Sequence, residues 1–122
     1  MEKNDYHVIV YYILSYLYHC LKMGETPQIE TLSLSNYPAE IPETYGDFIY
    51  MELSRQGFIS GAVWGQVPVA GKERVKVLNS LAGVQITAEG IDYLKNNSTM
   101  AKTWEKLKEG GGLLLQIVGA FR

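Results

Sequence analysis

Residues 86–94, with the sequence ITAEGIDYL, constrain the fold more strongly than any other segment of this chain. They follow a stretch with the composition of extended β-structure, and the hydroxyl of Thr87 can cap the first turn of a helix. Ile86 and Ile91 stand at the N′ and N4 positions of a hydrophobic staple. The segment therefore predicts a strand that leads directly into a helix, late in a small domain.

A long apolar helix is predicted near the start of the chain, over residues 5–23. Asp5 is a suitable N-terminal cap, and Gly24 stands where a C′ glycine ends a helix. The polar residues of this segment fall on one narrow stripe, which is typical of a helix buried on more than one side. Its five tyrosines are interpreted as packing at the edge of the core. A subunit interface, where tyrosine is enriched, is the alternative.

Two further helices are predicted before any strand. Thr26 and Pro27 resemble a cap followed by proline at N1, which opens a short helix through Leu32. A second substantial helix is expected over residues 43–56, after Pro42. Its predicted inner face consists of Tyr45, Ile49 and Leu53, flanked by Phe48.

The centre of the chain reads as a β-hairpin. Strands are predicted over residues 58–65 and 75–86, with a glycine-containing loop over residues 66–74 between them. The order helix, short helix, helix, hairpin, helix is that of a winged helix-turn-helix. The predicted fold class is therefore α+β, mostly helical, with residues 43–56 in the place of a recognition helix.

The C-terminal part is expected to add a helix and an apolar tail to this domain. We predict a winged-helix domain over residues 1–98 and an extra segment over residues 99–122, interrupted by the glycines at 110–112. Because the tail is almost wholly apolar, it must be covered by its own domain or by a partner subunit. The residues predicted to form such an interface are Tyr12, Tyr16, Trp104, Leu113, Leu114, Ile117 and Phe121.

The charge distribution weakens, but does not remove, the case for nucleic-acid binding. The net charge is −2, which disfavours strong non-specific attraction to phosphates. Residues 40–57 hold four carboxylates, interpreted as solvated charge, whereas basic residues concentrate in the predicted wing. The candidate nucleic-acid contacts are Ser54, Arg55, Lys72, Arg74 and Lys76.

No catalytic or metal-binding motif is found in the sequence. Cys20 is the only cysteine, and His7 and His19 lie about three turns apart on one predicted helix. We therefore expect no enzymatic activity, no cofactor and no metal, and the sequence identifies no small-molecule substrate. No stretch has the roughly 20 apolar residues of a membrane span, and no secretory signal is recognised, so a cytoplasmic protein is expected.

Several stretches of the chain resemble the YjcQ-like family of small winged-helix proteins from bacteria and prophages. The matching stretches are residues 16–22, with the sequence YLYHCLK, the helix opening at 43–45, the corner at 57–59, and residues 86–98. The resemblance extends over roughly residues 4–108. It implies a winged-helix fold and a phage-related origin, and it brings no established catalytic residues.

Two functions remain open at this point. The first is a DNA-binding or transcription-regulatory module whose wing contacts phosphates. The second is a protein–protein interaction module, for dimerisation or scaffolding, that keeps the architecture without binding DNA. Double-stranded DNA and a second copy of the chain are the partners considered.

Overall fold

A computed structural model describes residues 2–71, 73–110 and 112–121 of the chain. The fold is α+β and mostly helical, as the sequence predicts. The helices are α1 (Tyr6–Met23), α2 (Ile29–Leu32), α3 (Glu43–Arg55), α4 (Ala88–Asn96), α5 (Ser98–Gly110) and α6 (Gly112–Phe121). The strands are β1 (Ile59–Ser60), β2 (Val63–Val67), β3 (Val75–Ser80) and β4 (Gln85–Ile86).

Helix α1 is the centre of the core. The Asp5 carboxylate accepts a hydrogen bond from the His7 backbone N–H at 3.1 Å, and Gly24 ends the helix with φ 68°. Every residue from 8 to 17 is buried. Since those residues cover all sides of the helix, other elements must surround it. The predicted caps and the burial on several sides are both confirmed.

Helix α2 begins later than the sequence predicts. The predicted cap at Thr26 is wrong, because the helix starts at Ile29 with Gln28 as its N-cap residue. The Gln28 backbone N–H donates to the Tyr16 hydroxyl at 2.8 Å. A tertiary hydrogen bond from α1 therefore replaces the local side-chain cap.

Helix α3 starts after Pro42 as predicted, and Ile49 and Leu53 of its predicted inner face are buried, but Tyr50 flanks them instead of Phe48. Ile49, Tyr50 and Leu53 are buried, whereas the side chain of Phe48 is 52% exposed. The Tyr50 hydroxyl donates to the Leu32 carbonyl at 2.6 Å, which satisfies a polar group in the core. This contact fixes α3 against α2.

The predicted hairpin is present, but each arm is broken into two strands. β1 pairs with β4 and β2 pairs with β3, both antiparallel. The break lies at Gly61, which has φ 88°, and a Cβ there would lie 2.0 Å from the Gly83 carbonyl oxygen. The close approach of these two backbone segments interrupts the ladder and bends the hairpin.

The turn into α4 is held by Thr87, as the sequence predicts. Its hydroxyl accepts from the Gly90 backbone N–H at 3.0 Å and donates to the Gly57 carbonyl at 2.5 Å. A Cβ at Gly90 would lie 2.2 Å from the Phe58 carbonyl oxygen, so glycine permits close packing of α4 on the corner before β1. The T-x-x-G motif thus joins the end of the hairpin to its beginning.

The C-terminal helices pack on the same core. The Asn97 side-chain oxygen accepts from the Thr99 and Met100 backbone N–H groups at 2.8 and 3.3 Å, so α5 follows α4 without a linker. Met100 and Leu107 are buried, whereas Ala101 is exposed. Helix α6 lies against α1 and α5.

Candidate functional site

Two basic side chains project from the β2–β3 hairpin. Arg74 precedes β3, and its guanidinium donates to the Gln66 carbonyl at 3.4 Å. The Lys76 ammonium lies 5.3 Å from the centroid of the Trp64 ring, a contact that leaves its positive charge in place. Both are exposed, and no carboxylate of the described residues forms an ion pair with either. Lys72, the third predicted wing cation, lies outside the described residues.

The two candidates on α3 are placed differently from the hairpin residues. The Ser54 hydroxyl oxygen is buried, so it does not face an incoming ligand. Arg55 is exposed, but its guanidinium binds the Glu52 carboxylate through Nη2 at 2.5 Å and through Nε at 3.3 Å. Hydrogen bonds from Arg55 hold the pKa of Glu52 below its ordinary value. The pair is therefore locally neutral at physiological pH.

Among the described candidates, no hydrogen bond or ion pair joins Arg74 and Lys76 of the hairpin to Ser54 and Arg55 of α3. The hairpin meets α3 at Asp47, whose carboxylate accepts a hydrogen bond from the backbone of Leu78. Asp47 lies about two helical turns before Arg55.

The predicted interface residues are divided between the interior and the surface. Tyr12, Tyr16 and Leu114 are buried within this chain, and burial raises the pKa of both tyrosine hydroxyls. The ring of Phe121 lies 5.8 Å from Tyr12 and 5.1 Å from Tyr16, between ring centroids. Helix α6 thus covers these tyrosines itself and does not leave them open to a partner.

The remaining interface candidates lie closer to the surface. Trp104 stacks on Tyr11 at 5.8 Å with an interplanar angle of 9°. Ile117 is half-buried, while Leu113 is 53% exposed. Among these, Leu113 alone presents most of its side chain to solvent.

A cavity of about 510 Å³ lies between the α2–α3 region and β3. Glu43 and Asp47, one turn apart on α3, contribute its carboxylates. Burial raises the pKa of the Asp47 carboxyl above its ordinary value, the charge of Glu43 adds to that rise, and the Leu78 hydrogen bond opposes it. The Asp47 side chain is therefore half-buried at this site.

Sequence reasoning missed this cavity because its walls come from segments that are far apart in the chain. Leu34 and Leu78 lie on opposite sides of α3 in sequence and meet only in the folded structure. The spacing of Glu43 and Asp47 was the single local signal. It indicated a pair of carboxylates but not the partial burial of Asp47.

The described residues contain no group of three or more histidine, cysteine, aspartate or glutamate side chains placed to hold a metal ion. None of the described helices is both long enough and apolar enough to cross a membrane.

Comparison with known protein families matches residues 11–110 to the family described as YjcQ protein. No curated protein and no solved structure matches the chain.

Proposed function

This chain belongs to the YjcQ protein family, and we propose that it is a winged-helix protein that binds double-stranded DNA and acts in transcriptional regulation. The succession α1, α2, α3, hairpin and α4 supports this proposal, since it is the order of elements in a winged helix-turn-helix. In this arrangement the β2–β3 hairpin is the wing, and α3 stands in the place of the recognition helix. No catalytic step is part of the proposal.

The observation that carries the proposal is the unpaired charge of the wing. Arg74 and Lys76 are exposed without an ion-pair partner among the described residues, and cations on a projecting hairpin are suited to phosphate contacts. On α3, by contrast, Arg55 is neutralised by Glu52. Glu43 and Asp47 add negative charge that DNA phosphates repel. We therefore propose that the wing supplies the main electrostatic contact and that α3 contributes little charge.

The test is a double substitution, Arg74→Ala with Lys76→Ala, measured by gel shift on fragments of the source genome at several salt concentrations. Each lost phosphate contact lowers the slope of log affinity against log salt by roughly 0.9. We expect the slope to fall by about 1 to 2 and the affinity to drop on every fragment that the unchanged protein binds.

A matched control removes the same charge elsewhere. Lys22→Ala with Lys102→Ala takes two cations from α1 and α5 and leaves the wing intact. This control should keep most of the salt slope. Equal slopes for the two double variants, or no binding by the unchanged protein at low salt, would contradict a wing-led DNA contact.

A protein–protein interaction module is the second candidate, and a specific observation favours it. Val67 and Val75 pair across the hairpin, with side chains 41% and 39% exposed. An apolar pair on a two-stranded ribbon with free edges suits strand addition by another chain, including a second copy. Under this hypothesis, Val67→Thr with Val75→Thr lowers self-association in sedimentation experiments and leaves the melting temperature nearly unchanged. A mass that is monomeric before and after the change would exclude a homodimer through this surface.

A further inference from the structure

The cavity beside α3 has a mostly apolar lining, and the proposed function gives it no role. Its volume, about 510 Å³, is in the range of small-molecule sites. Three parts of the chain enclose it: the segment from α2 to the loop before α3, the first turns of α3, and β3 with the turn after it. A ligand held there would contact α3 and the wing strand together.

The lining combines apolar walls with a few polar groups on one side. Leu34, Ile41, Leu78 and Leu81 supply aliphatic surface, and most of the accessible lining is apolar. Tyr50 also lines the cavity, but its hydroxyl already donates to the Leu32 carbonyl. It therefore serves as a wall and not as a free hydrogen-bond donor.

In the described part of the chain, the charged groups that line the cavity are all carboxylates. They belong to Glu43 and Asp47, one turn apart on α3, and no lysine or arginine is among the described lining residues. The Leu78 backbone N–H satisfies part of the hydrogen-bonding capacity of Asp47. The remaining carboxylate oxygens have room for a further donor, and a positive charge would also relieve the repulsion between the two acids.

We propose that this cavity binds an amphipathic organic cation, with an amine or guanidine head on a compact apolar body. The head would lie between the Glu43 and Asp47 carboxylates as a charge-assisted hydrogen-bond donor. The body would contact the walls formed by Leu34, Leu78 and Leu81. A small molecule is chosen over a peptide because the cavity volume matches a ligand of that size.

Other ligand classes fit the lining less well. An anion would meet two carboxylates, and no lysine or arginine of the lining offsets them. A hard metal ion such as calcium takes about six to eight oxygen ligands, whereas this lining is mostly apolar. A neutral apolar molecule would displace water from the carboxylates without replacing their hydrogen bonds.

The test uses three probes with one apolar body: 4-phenylbutylamine, 4-phenylbutan-1-ol and 4-phenylbutyrate. Binding to the full chain is followed by amide chemical shifts at neutral pH, with probe concentrations up to about 10 mM, since fragment-sized ligands bind weakly. We expect the amine to saturate and to shift the amides of residues 43–47 and 78–82. The alcohol should bind roughly tenfold more weakly, the value of about one charged hydrogen bond, and the carboxylate should not bind.

Two variants assign the binding to the cavity. Asp47→Asn with Glu43→Gln keeps the shape and removes the charge, so amine affinity should fall at least tenfold while alcohol affinity stays within about twofold. Gly46→Leu fills the cavity, because a Cβ at this position would lie 3.9 Å from Leu34 Cδ1. It should abolish binding of both probes in a chain whose near-ultraviolet circular dichroism is unchanged.

Glu40→Gln is the matched control, since it removes one exposed carboxylate from the loop before α3 and is not among the lining residues. It should leave amine affinity unchanged. The proposal is overturned if none of the probes binds, if amine and alcohol bind equally, or if the shifted amides lie elsewhere. Each of these results is independent of whether the protein binds DNA.

Discussion

At the scale of single residues, Gly90 explains why the T-x-x-G segment is so informative. Thr87 caps the first turn of α4 through a local hydrogen bond, as in many helices. Gly90 has a different role, because the absence of a Cβ there allows α4 to pack closely against the Phe58 carbonyl. Two of the described helical glycines, Gly90 and Gly119, therefore have opposite roles. A Cβ at Gly119 would meet nothing within 4 Å.

The pair Gly90→Ala and Gly119→Ala tests this difference. Gly90→Ala should destabilise the fold by about 1–3 kcal/mol, because the added methyl group forces α4 away from the corner before β1. Gly119→Ala should stabilise it by up to about 1 kcal/mol through helix propensity. Urea denaturation of both variants gives the two values. An unchanged free energy of unfolding for Gly90→Ala would mean that α4 moves away from the Phe58 carbonyl without loss of stability.

Asp47 gives a residue-scale prediction about pH. Its pKa is raised in the folded state above its ordinary value of 3.8. Deprotonation therefore costs the folded state more than the unfolded state, and this penalty is present at neutral pH and vanishes as pH falls through both pKa values. Asp47→Asn should raise the melting temperature at pH 7, with a gain that shrinks towards pH values of about 3.

Glu40→Gln controls for the change in net charge, because it removes an exposed carboxylate from the same region of the chain. Thermal unfolding of both variants from acidic to neutral pH is the measurement. A lower melting temperature for Asp47→Asn at pH 7 would show that the Leu78 hydrogen bond outweighs the burial of the charge.

At the scale of elements, two adjacent leucines of α6 show which side of this helix packs against the core. Leu114 is buried against the core and Leu113 is 53% exposed. Leu114→Ala should cost about 2–5 kcal/mol of stability, the usual value for a buried leucine. Leu113→Ala should stay within about 0.5 kcal/mol. Equal effects of the two substitutions on denaturant unfolding would contradict the packing of α6 on α1.

Some element boundaries depend on neighbouring residues in the sequence, and others depend on contacts with distant segments. The ends of α1 and the start of α4 were predictable, because Asp5, Gly24 and Thr87 act within one helical turn. The start of α2 was not, because it depends on the Tyr16 hydroxyl, which belongs to another element. The break of the hairpin at Gly61 likewise follows from the approach of Gly83.

At the scale of the whole molecule, α6 completes the core around α1. Leu114 and Val118 are buried, and Phe121 lies against Tyr12 and Tyr16. A chain shortened to end at Gly110 would expose that surface. Its stability should fall by about 3–6 kcal/mol, from two buried aliphatic side chains at roughly 1.5–3 kcal/mol each.

The shortened chain should also self-associate, because the newly exposed aromatic surface is more stable when it is buried against another copy. Sedimentation and thermal unfolding compare it with the full chain. An unchanged mass together with an unchanged melting temperature would mean that α6 is dispensable for the core.

For the candidate site residues too, some features could be predicted from the sequence and others depend on tertiary contacts. The placement of Arg74 and Lys76 on a hairpin was predictable, because a turn-rich loop lies between two β segments in the sequence. The pairing of Arg55 with Glu52 fits an i,i+3 spacing, but the sequence alone did not choose between a pair and a free cation. The burial of the Ser54 hydroxyl depends on which way α3 is rotated.

By itself, the sequence determined the helical class, the capped ends of α1 and α4, the hairpin and the family, because each depends on short-range chemistry or on a recognisable pattern. The tertiary structure alone decided the start of α2, the burial of Tyr50 on α3, the covering of Tyr12 and Tyr16 by α6, and the cavity beside Asp47. These features arise where segments far apart in the chain meet. The free energy of such contacts depends on shape and on removal of water, neither of which residue spacing records.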